Sequence, residues 1–200
     1  MHSMTESATS LREQKRWETS RRITLCALRL TDQHGLDGFT MDDLAEAAEV
    51  SRRTLFNYFP SKVDAVLGEH PDLPPVALAE FIAGGPHGNL LEDLAELARA
   101  ALSDTPPDRA TVELGRRVLV AHSRLHAAAH QRFQDLTDEC AARVSEREGA
   151  QYGADRARLL LRLLLALLEA ALDLYVEEGE TRTLVEIFDD QLRSARALFA

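Results

Sequence analysis

Cysteine, glycine, proline and aromatic residues are all scarce in this sequence of 200 residues. It contains 2 cysteines, 10 glycines and 7 prolines, and aromatic residues make up 6%. Two cysteines are too few for a disulfide framework. Cys26 and Cys140 each lie within an apolar helical pattern, which favours buried, reduced thiols in a cytosolic protein. The sequence therefore excludes a fold stapled by disulfides.

A long apolar run free of charges is also absent. The most apolar stretch, Leu159–Tyr175, still contains Arg162, Glu169 and Asp173. These charges argue against a membrane span. A helix that is apolar around most of its circumference is instead predicted to be buried on two sides, as at a subunit interface. No signal peptide is recognisable, and a cytoplasmic location is predicted.

Basic residues are not in excess either. Lys and Arg number 23 against 33 Asp and Glu, which gives a formal net charge of −10. Such a chain does not bind DNA through its overall charge, so any DNA contact requires a local basic patch. The GxSxG, P-loop, HExxH and glycine-rich dinucleotide motifs are missing as well. We therefore predict a protein that is not an enzyme and uses no cofactor.

Ala, Leu, Arg and Glu are abundant, and these residues favour helices. Strand-like alternation persists nowhere, so an all-α fold of nine to ten helices is predicted. The helices are expected at about 11–34, 41–48, 52–58, 62–69, 89–103, 108–122, 124–148, 154–178 and 181–199. We predict two domains. Residues 1–70 form a helix-turn-helix domain whose first ten residues are disordered, and residues 71–200 form a helical ligand-binding and dimerisation domain.

Short helices with clear start signals mark the N-terminal third. Thr40 with Asp43, and Ser61 with Asp64, have the spacing of capping boxes, and Ser51 can cap the helix between them. The second and third helices are short and are joined by a turn of three or four residues. Three helices arranged in this way are typical of a helix-turn-helix unit.

The helix after Ser51 carries the residue types that read DNA. Arg52 and Arg53 suit bidentate contacts to guanine or phosphate, and Asn57 can pair with adenine or phosphate. The predicted DNA-binding residues are Thr40, Arg52, Arg53, Thr54, Asn57, Tyr58 and Lys62. Arg12, Lys15, Arg16, Arg21 and Arg22 add a basic arm on the first helix. Each residue alone also fits a solvated face or a simple cap, so the prediction depends on their order and spacing.

The stretch from Phe39 to Gly68, FTMDDLAEAAEVSRRTLFNYFPSKVDAVLG, resembles the N-terminal domain of TetR-type regulators. The matching features are Phe-Thr at 39–40, Leu-Ala at 44–45, Val-Ser at 50–51, Thr-Leu at 54–55 and Phe-Pro-Ser-Lys at 59–62. The resemblance covers roughly residues 15–68 and does not extend to the C-terminal part. Two positions depart from the family pattern. Glu49 stands where glycine is usual, and Phe56 stands where tyrosine is common. A left-handed Glu49 would carry strain of roughly 1–2 kcal/mol.

The resemblance implies a ligand-responsive, sequence-specific transcriptional regulator, and a repressor is predicted. It also implies a homodimer formed through the last two helices, about 154–178 and 181–199. Such a dimer would place two recognition helices about 34–36 Å apart on a roughly palindromic operator. The last helix supports this interface independently, because its apolar residues form one stripe. They are Leu184, Ile187, Phe188, Leu192, Ala195 and Phe199.

The effector is predicted only as a small lipophilic compound. Relatives with SRRTLFNYFPSK-type sequences suggest an acyl-CoA or fatty acyl ligand, while other aromatic or lipophilic compounds stay open. Apolar candidates for its pocket lie at Leu90–Leu102, Val118–Val120 and Phe133.

Two alternatives remain open. His122, His126 and His130 recur every four residues, and either a metal site or a polar or solvated face fits this spacing; no metal site is predicted. A helical adaptor that binds a ligand but has lost DNA binding is the alternative function. Strongly salt-dependent DNA affinity would separate a regulator from an adaptor.

Overall fold

The computed structural model describes residues 3–69, 73–104, 108–177 and 182–199. This described part forms ten α-helices and no strand. The helices are α1 (Ser3–His34), α2 (Met41–Ala47), α3 (Arg52–Tyr58), α4 (Lys62–Leu67), α5 (Pro75–Ile82), α6 (Leu90–Asp104), α7 (Arg109–Ala121), α8 (Ser123–Glu148), α9 (Ala154–Glu177) and α10 (Leu184–Phe199). A short 3-10 turn, Ala150–Tyr152, precedes α9. The predicted all-α class and the number of helices are confirmed.

Some predicted features lie outside the described residues. These are Met1 and His2 of the predicted disordered N-terminus, Glu178 and Thr181 at the predicted ends of the last two helices, and parts of the proline-rich breaks at 70–75 and 105–107. The structure differs from the expectation for Ser3–Ser10, which it places in α1. Extending an existing helix costs far less free energy than nucleating one, so α1 continues through residues with modest helix propensity.

The chain divides into two compact units. The first unit is Met1–His70 with Glu113–Ala129, and the second is Pro71–Val112 with His130–Ala200. The segment Glu113–Ala129 thus lies with the N-terminal unit, although the sequence placed it in the C-terminal domain. Its Val118 and Leu125 are buried in the core of the first unit. Contacts over such long sequence separations leave no local pattern.

The core of the first unit is made by apolar residues at helical spacing. Ile23 and Ala27 of α1 are fully buried, as are Leu44 of α2 and Leu55 of α3. Burial of one face of each short helix replaces the helix stability that seven residues cannot supply alone. The opposite faces of α2 and α3 are therefore left for solvent or for a partner.

Within the first unit, one ion pair joins α1 to α7 and another joins the loop after α1 to α8. Arg117 binds Asp32 through two hydrogen bonds, Nε to Oδ1 at 3.0 Å and Nη2 to Oδ2 at 2.9 Å. These bonds and the positive charge of Arg117 lower the pKa of Asp32. Arg124 of α8 lies 3.5 Å from Asp37, just after α1. These pairs thereby hold the last turn of α1 and the loop that follows it.

The core of the second unit joins α5, α6, α8, α9 and α10. Leu184, Ile187 and Phe188 are buried on one face of α10, so much of the stripe that the sequence assigned to a dimer interface is covered within the chain's own core. Two ion pairs bind α10 to α6: Arg99 to Asp189 at 2.7 Å and Arg196 to Glu92 at 2.6 Å.

A buried ion pair lies in this second unit. The side chains of Asp93 in α6 and Arg147 in α8 are 0% and 4% exposed, and they are hydrogen-bonded to each other. The backbone N–H of His87 also donates to Asp93, at 2.7 Å, and Arg147 donates to the carbonyl oxygen of Gly84 at 3.3 Å. The pair therefore attaches the Gly84–Gly88 loop to α6 and α8.

No helix in the described segments combines the length and apolar character needed to cross a membrane.

Candidate nucleic-acid interface

The helix α2 begins with the predicted capping box. The Thr40 side chain accepts from the backbone N–H of Asp43 at 3.2 Å, and the Asp43 carboxylate accepts from the N–H of Thr40 at 2.7 Å. The Thr40 hydroxyl donates to the same carboxylate at 2.8 Å. These bonds hold the pKa of Asp43 below its usual range. The donors of Thr40 are therefore already in use, and a contact from Thr40 to a phosphate stays a prediction.

The turn between α2 and α3 is a Schellman motif. The N–H of Val50 donates to the carbonyl of Ala45 and the N–H of Glu49 to the carbonyl of Glu46, each at 3.0 Å. This motif needs a left-handed residue after the helix, and Glu49 supplies it with φ of +52°. Cys26 of α1 donates from Sγ to the carbonyl of Ala47 at 3.3 Å, which links α1 to the end of α2.

The helix α3 presents one face to the core and the other to solvent. Ser51 caps it by accepting from the N–H of Thr54 at 3.0 Å. Leu55 and Phe59 are buried as predicted. Because the apolar residues lie four apart on one face, the remaining positions point outwards. The exposed residues of α3 are Arg52, Arg53, Phe56 and Asn57.

Arg52 is held by two neighbours. Its Nη1 donates to the Asp42 carboxylate of α2 at 2.9 Å. Its guanidinium carbon lies 5.6 Å from the centroid of the Phe56 ring, within the range of a cation–π contact. Both partners of the ion pair are exposed, 66% for Arg52 and 62% for Asp42. The pair therefore lies on the same open surface as the rest of α3.

Arg53 and Asn57 are available for a partner. Both are exposed, and within the described ranges neither forms an ion pair or a side-chain hydrogen bond. The hydroxyl of Thr54, by contrast, shares a 2.7 Å hydrogen bond with Ser51. Of the predicted base-reading residues, Arg53 and Asn57 could therefore bind DNA without first breaking an ion pair or side-chain hydrogen bond to another described residue.

Tyr58, the last residue of α3, contacts the basic arm of α1. The guanidinium carbon of Arg16 is 5.8 Å from the centroid of its ring, and Arg16 also forms a 3.4 Å ion pair with Glu69. Lys15 and Arg22 are exposed on α1, while the guanidinium of Arg21 lies over the Trp17 ring at 5.3 Å. The side chain of Arg12 lies outside the described residues.

Lys62 connects the start of α4 to the loop before α2. Its Nζ donates to the carbonyl oxygen of Phe39 at 2.8 Å and lies 4.9 Å from the centroid of the Phe39 ring. One of the three ammonium donors is thereby used, and two remain. Lys62 thus has a structural role that its place in the sequence motif did not indicate.

Sequence reasoning did not find the partners of these cations. Asp42 lies ten positions before Arg52, and the acceptor of Lys62 is a backbone carbonyl, so no periodic pattern connects them. Phe56, which lacks the hydroxyl of the tyrosine common at this position, is not among the predicted DNA-binding residues, yet it is 42% exposed beside Arg52. The signal that could have found it is an aromatic residue four positions after an arginine on one helical face.

The structure also places the candidate metal ligands, the two cysteines and the candidate pocket residues. No group of three or more His, Cys, Asp or Glu in the described segments could hold a metal ion. Both cysteines are free, and burial raises the pKa of each thiol. Among the pocket candidates, Val118 is buried in the first unit, whereas Leu94 and Leu97 are buried in the second. These residues therefore belong to two separate cores.

The helices predicted to dimerise keep apolar residues at the surface. In α9, Leu159 is 60% and Leu163 is 50% exposed. Ala166, three residues later, is exposed on the same face, and Leu198 of α10 is exposed as well. The other face of α9 is buried through Leu161 and Leu164. The chain by itself thus covers one side of α9 and leaves the other open.

The fold and surface of the first unit define a helix-turn-helix protein. Residues 23–66 match the model of the bacterial regulatory proteins of the tetR family. Uncharacterized HTH-type transcriptional regulators of Mycobacterium bovis and Mycobacterium tuberculosis are 31% identical to this chain over 97 residues. The matched region is 48% of this chain and 45% of each relative, so the chain spans less than half of the relatives it matches.

Residues 23–66 are thus similar to the N-terminal domain of the tetR family of bacterial regulatory proteins. The family resemblance predicted from the Phe39–Gly68 motif is thereby confirmed. The family and the matched relatives are regulators and not enzymes, in agreement with the prediction for this chain.

Proposed function

We propose that this protein is a sequence-specific, DNA-binding transcriptional regulator that reads the major groove with α3. The observation that carries this proposal is the outer face of α3, where Arg52, Arg53 and Asn57 are exposed while Leu55 and Phe59 are buried. The N-terminal residues of a recognition helix are the ones that contact base edges. Arginine and asparagine are also the side chains that pair with guanine and adenine in two-bond geometry.

The contacts to the phosphate backbone would come from neighbouring elements. Tyr58 at the end of α3 and Lys62 at the start of α4 are partly exposed, and Lys15, Arg16 and Arg22 are exposed on α1. Thr40 and Thr54 complete the proposed set, with hydroxyls that now bind within their own caps. This local concentration of cations offsets a net charge of −10, and the proposed binding would weaken steeply with salt.

We further propose a homodimer through α9 and α10 and a repressor that acts in the cytoplasm. The exposed Leu159, Leu163 and Leu198 support the dimer, because apolar side chains gain free energy when a second subunit covers them. A two-fold dimer would require a roughly palindromic operator. Release from DNA by a small lipophilic effector, an acyl-CoA or fatty acyl compound for example, rests on the family resemblance alone.

The first experiment is selection of bound duplexes from a random DNA pool at about 0.15 M salt, a physiological ionic strength. We expect a two-fold symmetric motif. Arg53→Ala should weaken binding to it by about 1–3 kcal/mol if Arg53 reads bases. Equal losses on selected and random duplexes would instead assign Arg53 to a phosphate.

The same selection distinguishes the alternative function. A folded protein that recovers no motif and shows no salt-dependent DNA affinity would be an adaptor that has lost DNA binding.

A further inference from the structure

The ion pair between Asp42 and Arg52 lies where the proposed function places DNA. Asp42 belongs to α2 and Arg52 is the first residue of α3, so the pair bridges the two helices of the helix-turn-helix on its open side. The capping box of α2 uses Asp43 and not Asp42. The carboxylate of Asp42 lies in the first turn of α2, where its charge favours the helix N-terminus, but its hydrogen bond is with Arg52 and not with the cap.

An exposed ion pair of this kind contributes little to folding stability. A carboxylate on a DNA-facing surface also repels phosphates, which lowers affinity for every duplex. Asp42 thus lowers general DNA affinity in return for only a small gain in stability, from its ion pair and its place in the first turn of α2. Its effect must be sought in the side chain that it holds.

We propose that Asp42 is a specificity-determining residue that makes Arg52 a reader of bases; this inference rests on the proposed function. Asp42 holds Nη1 of Arg52 and the Phe56 ring lies beside the guanidinium, so the side chain is fixed at two points. Its other guanidinium N–H groups can still donate. Asp42 already balances the charge of Arg52. A phosphate therefore attracts Arg52 less strongly than it would attract an arginine without a carboxylate partner. The neutral O6 and N7 acceptors of guanine are the partners that such a held guanidinium favours.

The test compares Asp42→Ala with a matched control, Glu46→Ala. Glu46 is an exposed carboxylate of the same helix, and within the described residues its side chain forms no ion pair. Both variants remove one negative charge and replace it with a strong helix former, so α2 is retained. Affinity is measured on the duplex selected by the wild-type protein and on a random duplex of equal length, over a series of salt concentrations.

We expect Asp42→Ala to lower the ratio of selected to random affinity about tenfold, since a good bidentate pair supplies discrimination of that order. Its binding to random DNA should tighten, with a salt slope steeper by about 0.9 for one added phosphate contact. Glu46→Ala should leave the ratio unchanged. Once Arg52→Ala is present, Asp42→Ala should no longer change the ratio.

Three results would overturn the inference. If Asp42→Ala and Glu46→Ala tighten binding to both duplexes equally, Asp42 acts through bulk charge only. If Asp42→Ala still lowers the ratio in the Arg52→Ala background, Asp42 does not act through Arg52. A wild-type protein that prefers no duplex contradicts the proposed function itself, and the wild-type measurements alone identify that case.

Thermal unfolding of each variant shows whether a changed affinity ratio belongs to folded protein. Asp42→Asn serves as a second substitution that removes the charge and keeps the size of the side chain.

Discussion

Glu49 closes the turn between α2 and α3 in a backbone conformation that favours glycine. Its φ of +52° brings its Cβ close to the following carbonyl oxygen, which costs roughly 1–2 kcal/mol. The Schellman hydrogen bonds of Glu49 and Val50 hold it there. The turn between α2 and α3 thus retains backbone strain at Glu49.

We expect Glu49→Gly to stabilise the protein. The gain should be about 0.5–1 kcal/mol, because relief of the left-handed strain is partly offset by the greater freedom of glycine in the unfolded chain. Urea unfolding followed by circular dichroism measures the change. Glu49→Ala is the control, since alanine keeps the strain while removing the carboxylate. Equal stability of the two variants would show that the backbone of Glu49 carries no such cost.

Lys62 has two roles at the residue scale, a structural one and a proposed contact with phosphate. Lys62→Met keeps the apolar stem and removes the ammonium group. We expect the free energy of unfolding to fall by about 1 kcal/mol, through loss of the hydrogen bond to Phe39. The salt slope of DNA binding should become shallower by about 0.9. Lower stability with an unchanged slope would leave only the structural role.

At the scale of elements, the buried pair of Asp93 and Arg147 determines how the Gly84–Gly88 loop joins α6 and α8. Burial by itself raises the pKa of Asp93. The hydrogen bonds from Arg147 and the His87 backbone, with the charge of Arg147, outweigh burial and lower it. A carboxylate with a depressed folded pKa stabilises the fold above its unfolded pKa of about 3.9. That stability is lost as the pH falls through the lower folded value.

Asp93→Asn should therefore cost about 3 kcal/mol at pH 7, because it removes the buried carboxylate of the pair and leaves the guanidinium only the less buried Glu148 carboxylate, 3.0 Å from Arg147 Nε, as counter-charge. The cost should shrink as the pH falls below about 4, where the carboxylate of the unfolded wild-type chain becomes protonated, and further as the pH falls through the lower pKa of the folded carboxylate. Urea unfolding across this pH range measures both effects. Asp138→Asn is a suitable control, since the ion pair of Asp138 with Arg158 is exposed. A penalty for Asp93→Asn that does not vary with pH would exclude the proposed ionised state of Asp93.

At the scale of the whole molecule, a single chain leaves the apolar residues on the outer face of α9 exposed to solvent. We expect the double variant Leu159→Glu/Leu163→Glu to be monomeric in sedimentation experiments in which the wild-type protein is a dimer. Charges at a covered apolar face would be buried without partners. Affinity for a two-fold symmetric duplex should fall about 100-fold or more through lost bivalency, while affinity for a single half-site is retained.

Val76→Glu is the matched control for this experiment. Val76 is 82% exposed in α5, away from α9 and α10 in the sequence, and its replacement should leave the dimer intact. A monomeric wild-type protein, or a double variant that still dimerises, would contradict the proposed interface.

The sequence by itself determined the features that depend on residues within a turn or two of one another. The caps at Thr40 and Ser51 and the buried positions Leu44, Leu55 and Phe59 all follow from spacings of a few residues. Such hydrogen bonds and helical faces depend on local backbone geometry alone. The all-α class and the helix-turn-helix could therefore be predicted.

Only the tertiary structure decided which distant groups meet. Arg52 with Asp42, Lys62 with the Phe39 carbonyl and Arg117 with Asp32 join separate elements. The same holds for the place of Glu113–Ala129 in the first unit. Each of these contacts depends on how one helix is rotated and shifted against another, and side-chain packing over the whole core sets that geometry. The residues that could bind DNA are thus visible in the sequence, whereas the partners that restrain them appear only once the helices are packed.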